Sequence, residues 1–145
     1  MFLITGISTF TWILLAYIGL HLGYGQIAEH VPAFKEAGYD QLLDAVVYKH
    51  YMSSGVFILK VKELFLIFGA IALFFEVAKA ATTKSFSGVE TLLSFVVAII
   101  FVIMFFMVSW AGNATFLILM LMSFIDATGG FIIELNAAQR DFHIG

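Results

Sequence analysis

The sequence predicts an all-α integral membrane protein with four transmembrane helices and an interfacial amphipathic helix between the first and second. Three observations lead there. Of the 145 residues, 62% are apolar and 12% charged, and the mean hydropathy is +1.04, far from the mixture of a water-soluble domain. The charges are also clustered, leaving long stretches with none, and about 20 apolar residues suffice to cross a hydrocarbon core roughly 30 Å thick. The one sizeable segment left outside those stretches, residues 32–54, falls between the first and second of them. The chain is therefore expected to form a single membrane domain, 1–145.

The first span is expected at about residues 2–25, within the charge-free run from Phe2 to Ala28. That run lacks the basic leading region and small-residue cleavage site of a signal peptide, so it reads as a retained helix. The second span is expected at 62–81. Glu63 and Glu76 bracket only twelve apolar residues, LFLIFGAIALFF, so this helix crosses only if Glu76 lies inside the bilayer or at its far interface.

From Thr91 to Ile125 there are 35 residues without a charge. One helix of that length would reach about 50 Å, more than a bilayer requires. The chain must fold back, and the small and polar residues SWAGNA at 109–114 supply the turn. This places the third span at 91–110 and the fourth at 114–133. The Asn113-Ala114-Thr115 sequon lies too close to both helices to read as a glycan site.

In the segment 32–54, Pro32 can begin a short turn. A helix beyond it would gather Leu42, Leu43, Val46, Val47 and His50 within about 140° of its circumference, with Asp40 and Asp44 outside that arc. Such a helix would lie in the interface and return the chain to the bilayer with its backbone bonds satisfied. Four spans put both termini on one side of the membrane. Lys79, Lys84 and Arg140 sit in short segments on that side, against Lys35, Lys49, Lys60 and Lys62 opposite, which favours a cytoplasmic location for the termini.

The costly charges are those within the spans. Asp126 lies deep in the last apolar stretch, and a central aspartate opposes insertion by about 2.5–3.5 kcal/mol, against about 0.3–0.6 returned by each Leu, Ile, Phe or Val. The span FLILMLMSFI can carry that cost, but Asp126 must face protein or water. On a helical wheel Ser123, Ala127, Gly130 and Glu134 share a face with Asp126, within about 100° of arc. Small residues there allow another helix to approach. The end of the second span brings Glu76 and Lys79 to the same side, so Asp126, Glu134, Glu76 and Lys79 form either a proton or cation site or a buried, hydrogen-bonded packing group. Gly19 and Gly23, with Ala16 beside them, form a second small-residue association face in the first span.

His21, His30 and His50 all fall on the opposite side and are the candidate metal ligands. They match no recognised spacing for zinc, copper, iron or haem, and no cofactor is expected. Absence of cysteine removes disulfides and thiol chemistry, and the net charge of −3 gives no footprint for nucleic acid. No phosphate loop or nucleophile elbow is present, so an enzyme is not expected. The expected partners are lipid and other membrane subunits or copies of the same chain. These observations point to a non-catalytic membrane subunit packing into a homo-oligomer or a larger complex. The first alternative is a small homo-oligomeric proton or cation channel or transporter using the acidic face. A metal- or haem-binding subunit is the second.

Overall fold

The computed structural model describes residues 8–30, 38–82 and 88–142. Helix α1 runs Thr9–His30 and is followed by a short helix α2, Tyr39–Leu43. Strands β1, Val46–Met52, and β2, Gly55–Lys60, form an antiparallel hairpin. Three long helices complete the chain: α3 Val61–Thr82, α4 Gly88–Met107 and α5 Ala114–Phe142, with a 3-10 turn at Ser109–Ala111 between α4 and α5. Each of the three is long and apolar enough to cross a membrane, α5 over Ala114–Asn136.

Helices α3 and α4 both pack against α5, and α1 packs against α3 and α4. The core is a narrow seam between helices, centred on Phe10, Leu14, Tyr17, Phe101, Phe116 and Leu119. Close approach of α3 and α5 depends on Gly69. A Cβ there would lie 2.8 Å from Leu119 Cδ2 and 3.0 Å from Met122 Sδ, so the bare backbone is what admits those two side chains. Most of the outward surface of α3, α4 and α5 remains apolar and exposed.

The turn between α4 and α5 is closed by Asn113, whose side-chain oxygen accepts the Phe116 N–H at 3.0 Å and so caps the first turn of α5. Its amide nitrogen donates to the Trp110 carbonyl at 3.0 Å and to the Tyr17 hydroxyl at 2.9 Å. The sequon asparagine is thus occupied in joining α1 to this turn. Around Tyr17 the rings of Tyr39, Phe65, Trp110 and Phe116 pack at centroid distances between 5.0 and 6.1 Å, and the Tyr39 hydroxyl donates to the Tyr17 carbonyl at 3.3 Å. Burial raises the Tyr39 phenol pKa well above its ordinary value, as do the neighbouring Tyr17 and Asp40.

One expectation is corrected and another is not confirmed. The interfacial helix over 32–54 is not what forms: helix is confined to Tyr39–Leu43 among the described residues there, and Val46–Met52 is a strand. The apolar spacing that fits one face of a short helix also fits a hairpin, and β-branched and aromatic residues decide it: Val46, Val47, Tyr48 and Tyr51 against Val56, Phe57 and Ile58. A two-residue connection, Ser53-Ser54, joins Met52 to its partner Gly55. The start expected at Pro32 lies outside the described residues.

The first span is not confirmed. Its residues 2–7 lie outside the described residues, and α1 begins at Thr9 rather than at the start of the charge-free run. Among the described residues, α1 is not one of the helices long and apolar enough to cross a membrane. Tyr17 already reaches the α4–α5 turn, so residues 18–30 extend about 18 Å beyond that level.

Candidate functional site: carboxylates around the start of a helix

Helix α1 starts beside the middle of α5. Ser8 precedes its first turn, accepts the Phe10 N–H on its hydroxyl at 3.3 Å and gives its carbonyl to the Thr11 N–H at 2.9 Å, which is the arrangement of an N-cap serine. The same Ser8 hydroxyl donates to Asp126 Oδ2 at 3.2 Å. Ser94, on α4, stands near the same carboxylate. Asp126 is only 7% exposed, about 18 Å along α5 from Ala114.

Glu76 reaches the same helix start from α3. Its Oε1 accepts the Thr9 N–H at 2.7 Å and the Thr9 hydroxyl at 2.6 Å. The first N–H groups of a helix have no partner within it and carry the positive end of its dipole. Glu76 is therefore placed where a negative charge is favoured, Asp126 stands beside the same helix start, and each accepts a bond from a hydroxyl. The structure answers why an aspartate stands in the last apolar stretch: it meets the beginning of another helix.

The remaining charges pair separately. Glu134 accepts the Thr91 hydroxyl from α4 at 2.5 Å, and Lys79 lies 2.9 Å from Glu90. Lys79 is still near enough to Asp126 to act on it electrostatically. Of the four residues expected to form one site, the structure draws Glu76 and Asp126 together and sets Glu134, about 12 Å further along α5, with its own partner. Lys84 lies outside the described residues.

The small-residue faces divide as well. Ser123 and Ala127 are buried at 1% exposure, and the Ser123 hydroxyl has no hydrogen-bond partner among the described residues. Gly130, Gly19 and Gly23 have open space where a side chain would stand. Ala16 lines an apolar groove of about 450 Å³ between α1 and α3, with Trp12, Ile13, Phe68 and Phe75 around it.

The three histidines do not form a ligand set. His21 stacks on Trp110 with centroids 4.1 Å apart, His30 Nδ1 lies 2.9 Å from the Gln26 carbonyl, and His50 stacks on Tyr48 in the hairpin. Among the described residues no three His, Cys, Asp or Glu side chains are grouped to hold a metal.

Sequence reasoning missed Ser8, Thr9, Thr91, Ser94 and Glu90. A signal was available for the first two, since Ser-Thr ahead of an apolar run is a helix-start signature. The hydroxyls on α4 sit in an ordinary apolar stretch and carry none. No family model matches the chain, and neither a curated protein nor a solved structure does.

Proposed function

We propose that the chain is a non-catalytic integral membrane subunit that packs into a homo-oligomer or a larger membrane complex. The observation that carries this reading is the containment of Asp126 and Glu76. Both carboxylates are engaged by hydroxyls and by the start of α1 within the chain, as expected of groups that fix helix packing. The wide apolar flanks of α3, α4 and α5 and the open faces at Gly19, Gly23 and Gly130 are the surfaces on which lipid and neighbouring subunits would lie. In this reading the region ahead of and including α1 supplies a fourth membrane segment, and both termini face one side, the cytoplasm by the distribution of basic residues.

The test is a pull-down of the full chain in mild detergent followed by mass spectrometry. Stoichiometric partners or a defined homo-oligomer are expected. Gly23→Ile should weaken that assembly while leaving the folded chain intact, because a Cβ there meets nothing within 4 Å in its own chain. The competing reading is a proton or cation path along Asp126 and Glu76. Asp126→Asn keeps the shape of the packing group, so assembly should survive. Loss of a pH-dependent flux in liposomes on that substitution would replace the subunit reading with the transport one.

A further inference from the structure

We propose that the groove between α1 and α3 is a lipid site, which takes one acyl chain of a phospholipid carrying an ethanolamine headgroup. The proposal rests on the reading of this chain as an integral membrane protein and names a lipid that it selects.

The groove lies along α3, one of the helices long and apolar enough to cross a membrane. Trp12 and Ala16 of α1 form one wall, and Phe65, Phe68, Ala72 and Phe75 of α3 the other. Trp12, Phe68 and Phe75 are each more than half exposed, so the groove opens outward, toward hydrocarbon. Its size selects among occupants. From Phe65 to Phe75 it follows α3 for about 15 Å, half the thickness of a hydrocarbon core of roughly 30 Å and thus the reach of one leaflet's chains. A volume of about 450 Å³ spread over that length leaves a mean cross-section of about 30 Å². A helix with its side chains is about 10–12 Å across, roughly three times too large in section. A single polymethylene chain, with wall carbons at about 4 Å, fills such a channel.

One end of the groove is charged. Thr9 lines it there, and its N–H and hydroxyl are bonded to Glu76 at 2.7 and 2.6 Å. Lys79 stands one turn beyond Phe75, within about 60° of arc from Phe68, Ala72 and Phe75, and its ammonium lies 2.9 Å from Glu90. Among the described residues the mouth therefore holds two carboxylates, Glu76 and Glu90, and one ammonium. An anionic headgroup would add to the excess of negative charge, which is unfavourable. Phosphoethanolamine brings both signs: its ammonium can donate to the Glu76 or Glu90 carboxylate, and its phosphate can accept from Lys79 alongside Glu90. Choline offers a cation without an N–H to donate. Glu76 and Lys79 lie in the last two turns of α3, the level at which a headgroup joins its chains.

Trp12 reports on the groove directly. The full chain is reconstituted in phosphatidylcholine vesicles containing a minor fraction of phospholipid with brominated chains, and quenching of Trp12 is read against a Trp12→Phe chain, which retains only Trp110. The brominated ethanolamine lipid is expected to compete for Trp12 about three- to fivefold better than the brominated choline or glycerol lipid, the effect of one partly exposed ion pair. Glu76→Gln should bring the ethanolamine lipid toward the choline lipid while quenching persists. Ala16→Phe, which fills the groove from its exposed wall, should lower quenching by all three. Phospholipid retained by the chain in mild detergent should likewise be enriched in ethanolamine over the membrane it came from, and less so in Ala16→Phe. Equal quenching by the three headgroups, unchanged by either substitution, would mean that Trp12 meets only bulk lipid, and would overturn the site while the membrane reading stands. So would a Trp12 that no brominated lipid quenches in the assembled protein, the result expected if a neighbouring subunit covers the groove. A chain that does not enter vesicles at all overturns both.

Discussion

Replacing Glu76 tests whether the start of α1 is held by the carboxylate that reaches it from α3. Its Oε1 accepts two bonds, from the Thr9 N–H at 2.7 Å and the Thr9 hydroxyl at 2.6 Å. A hydrogen bond to a charged group contributes about 1.5–3 kcal/mol in water-soluble proteins. Within membranes interhelical bonds average about 0.6 kcal/mol and reach about 1.7, because the unfolded chain in lipid finds other partners. Loss of a helix cap alone costs about 0.5–2 kcal/mol. Glu76→Leu is thus expected to destabilise the fold by about 2–4 kcal/mol, the average membrane value for each bond plus an unpartnered N–H. Glu76→Gln keeps an acceptor oxygen and should cost about 1 kcal/mol or less. Reversible unfolding in mixed micelles, followed by the fluorescence of Trp12 one turn beyond Thr9, measures both. A cycle with Thr9→Val isolates the hydroxyl bond, with an expected coupling of about 0.6–1.7 kcal/mol. A leucine variant as stable as the parent, or a coupling of zero, would show that Glu76 merely lies near the helix start.

Three further outcomes follow from the same structure. Gly69→Ala should destabilise by about 1–3 kcal/mol, the usual cost of overpacking, and less than that in a Leu119→Ala background, which withdraws the atom 2.8 Å from the new methyl, as a double-mutant cycle in the same unfolding assay would show. Asp44 is paired with Lys62 at 2.6 Å and Lys60 at 3.1 Å; these two lysines hold its carboxyl below the usual value. Its contribution is therefore present above the unfolded carboxyl pKa of about 3.9 and lost as pH falls below it, so amide exchange at Val61, whose N–H bonds to Ala45 at the hairpin base, should accelerate below about pH 4 in the parent but not in Asp44→Asn. Cysteines at Thr82 and Gln139 should label from one side of the membrane and a cysteine at Ser54 from the other, and labelling of all three from one side would refute the path of α3 and α5 across the bilayer.

The long apolar helices were legible because length and freedom from charge are one-dimensional properties. The turn at 109–114 was legible too, since a run that is too long must break and only SWAGNA offers polar and small residues. The hairpin was not. Leu42 to His50 satisfies a helical arc, and the same positions satisfy a strand once Tyr48, Tyr51, Phe57 and Ile58 have each other to pair with across the Ser53-Ser54 connection, which is a fact about two segments rather than one. Asp126 was recognisable as a residue that needs a partner, but the partner is not a lysine. A search for opposite charge passes over Ser8, Thr9 and Ser94, since a hydroxyl and a helix N–H carry no formal charge and become cation-like only when oriented. Gly69 stood in plain view within LFLIFGAIALFF, and only the approach of Leu119 and Met122 distinguishes it from any other glycine in a membrane helix.

The contacts that seat α1 have a consequence for the order in which the protein can be made. The first turn of this helix is held by Glu76 and, through Ser8, by Asp126, which lie 67 and 118 positions later in the chain. A ribosome delivers Ser8 and Thr9 long before either carboxylate exists, and lipid offers the waiting N–H groups nothing. The first of the described helices is therefore secured late, by α3 and then by α5, and until they arrive its leading end finds its partners in water, at the interface or in the insertion machinery. Truncation ahead of Asp126 should leave a chain whose first helix is held at its start by Glu76 alone.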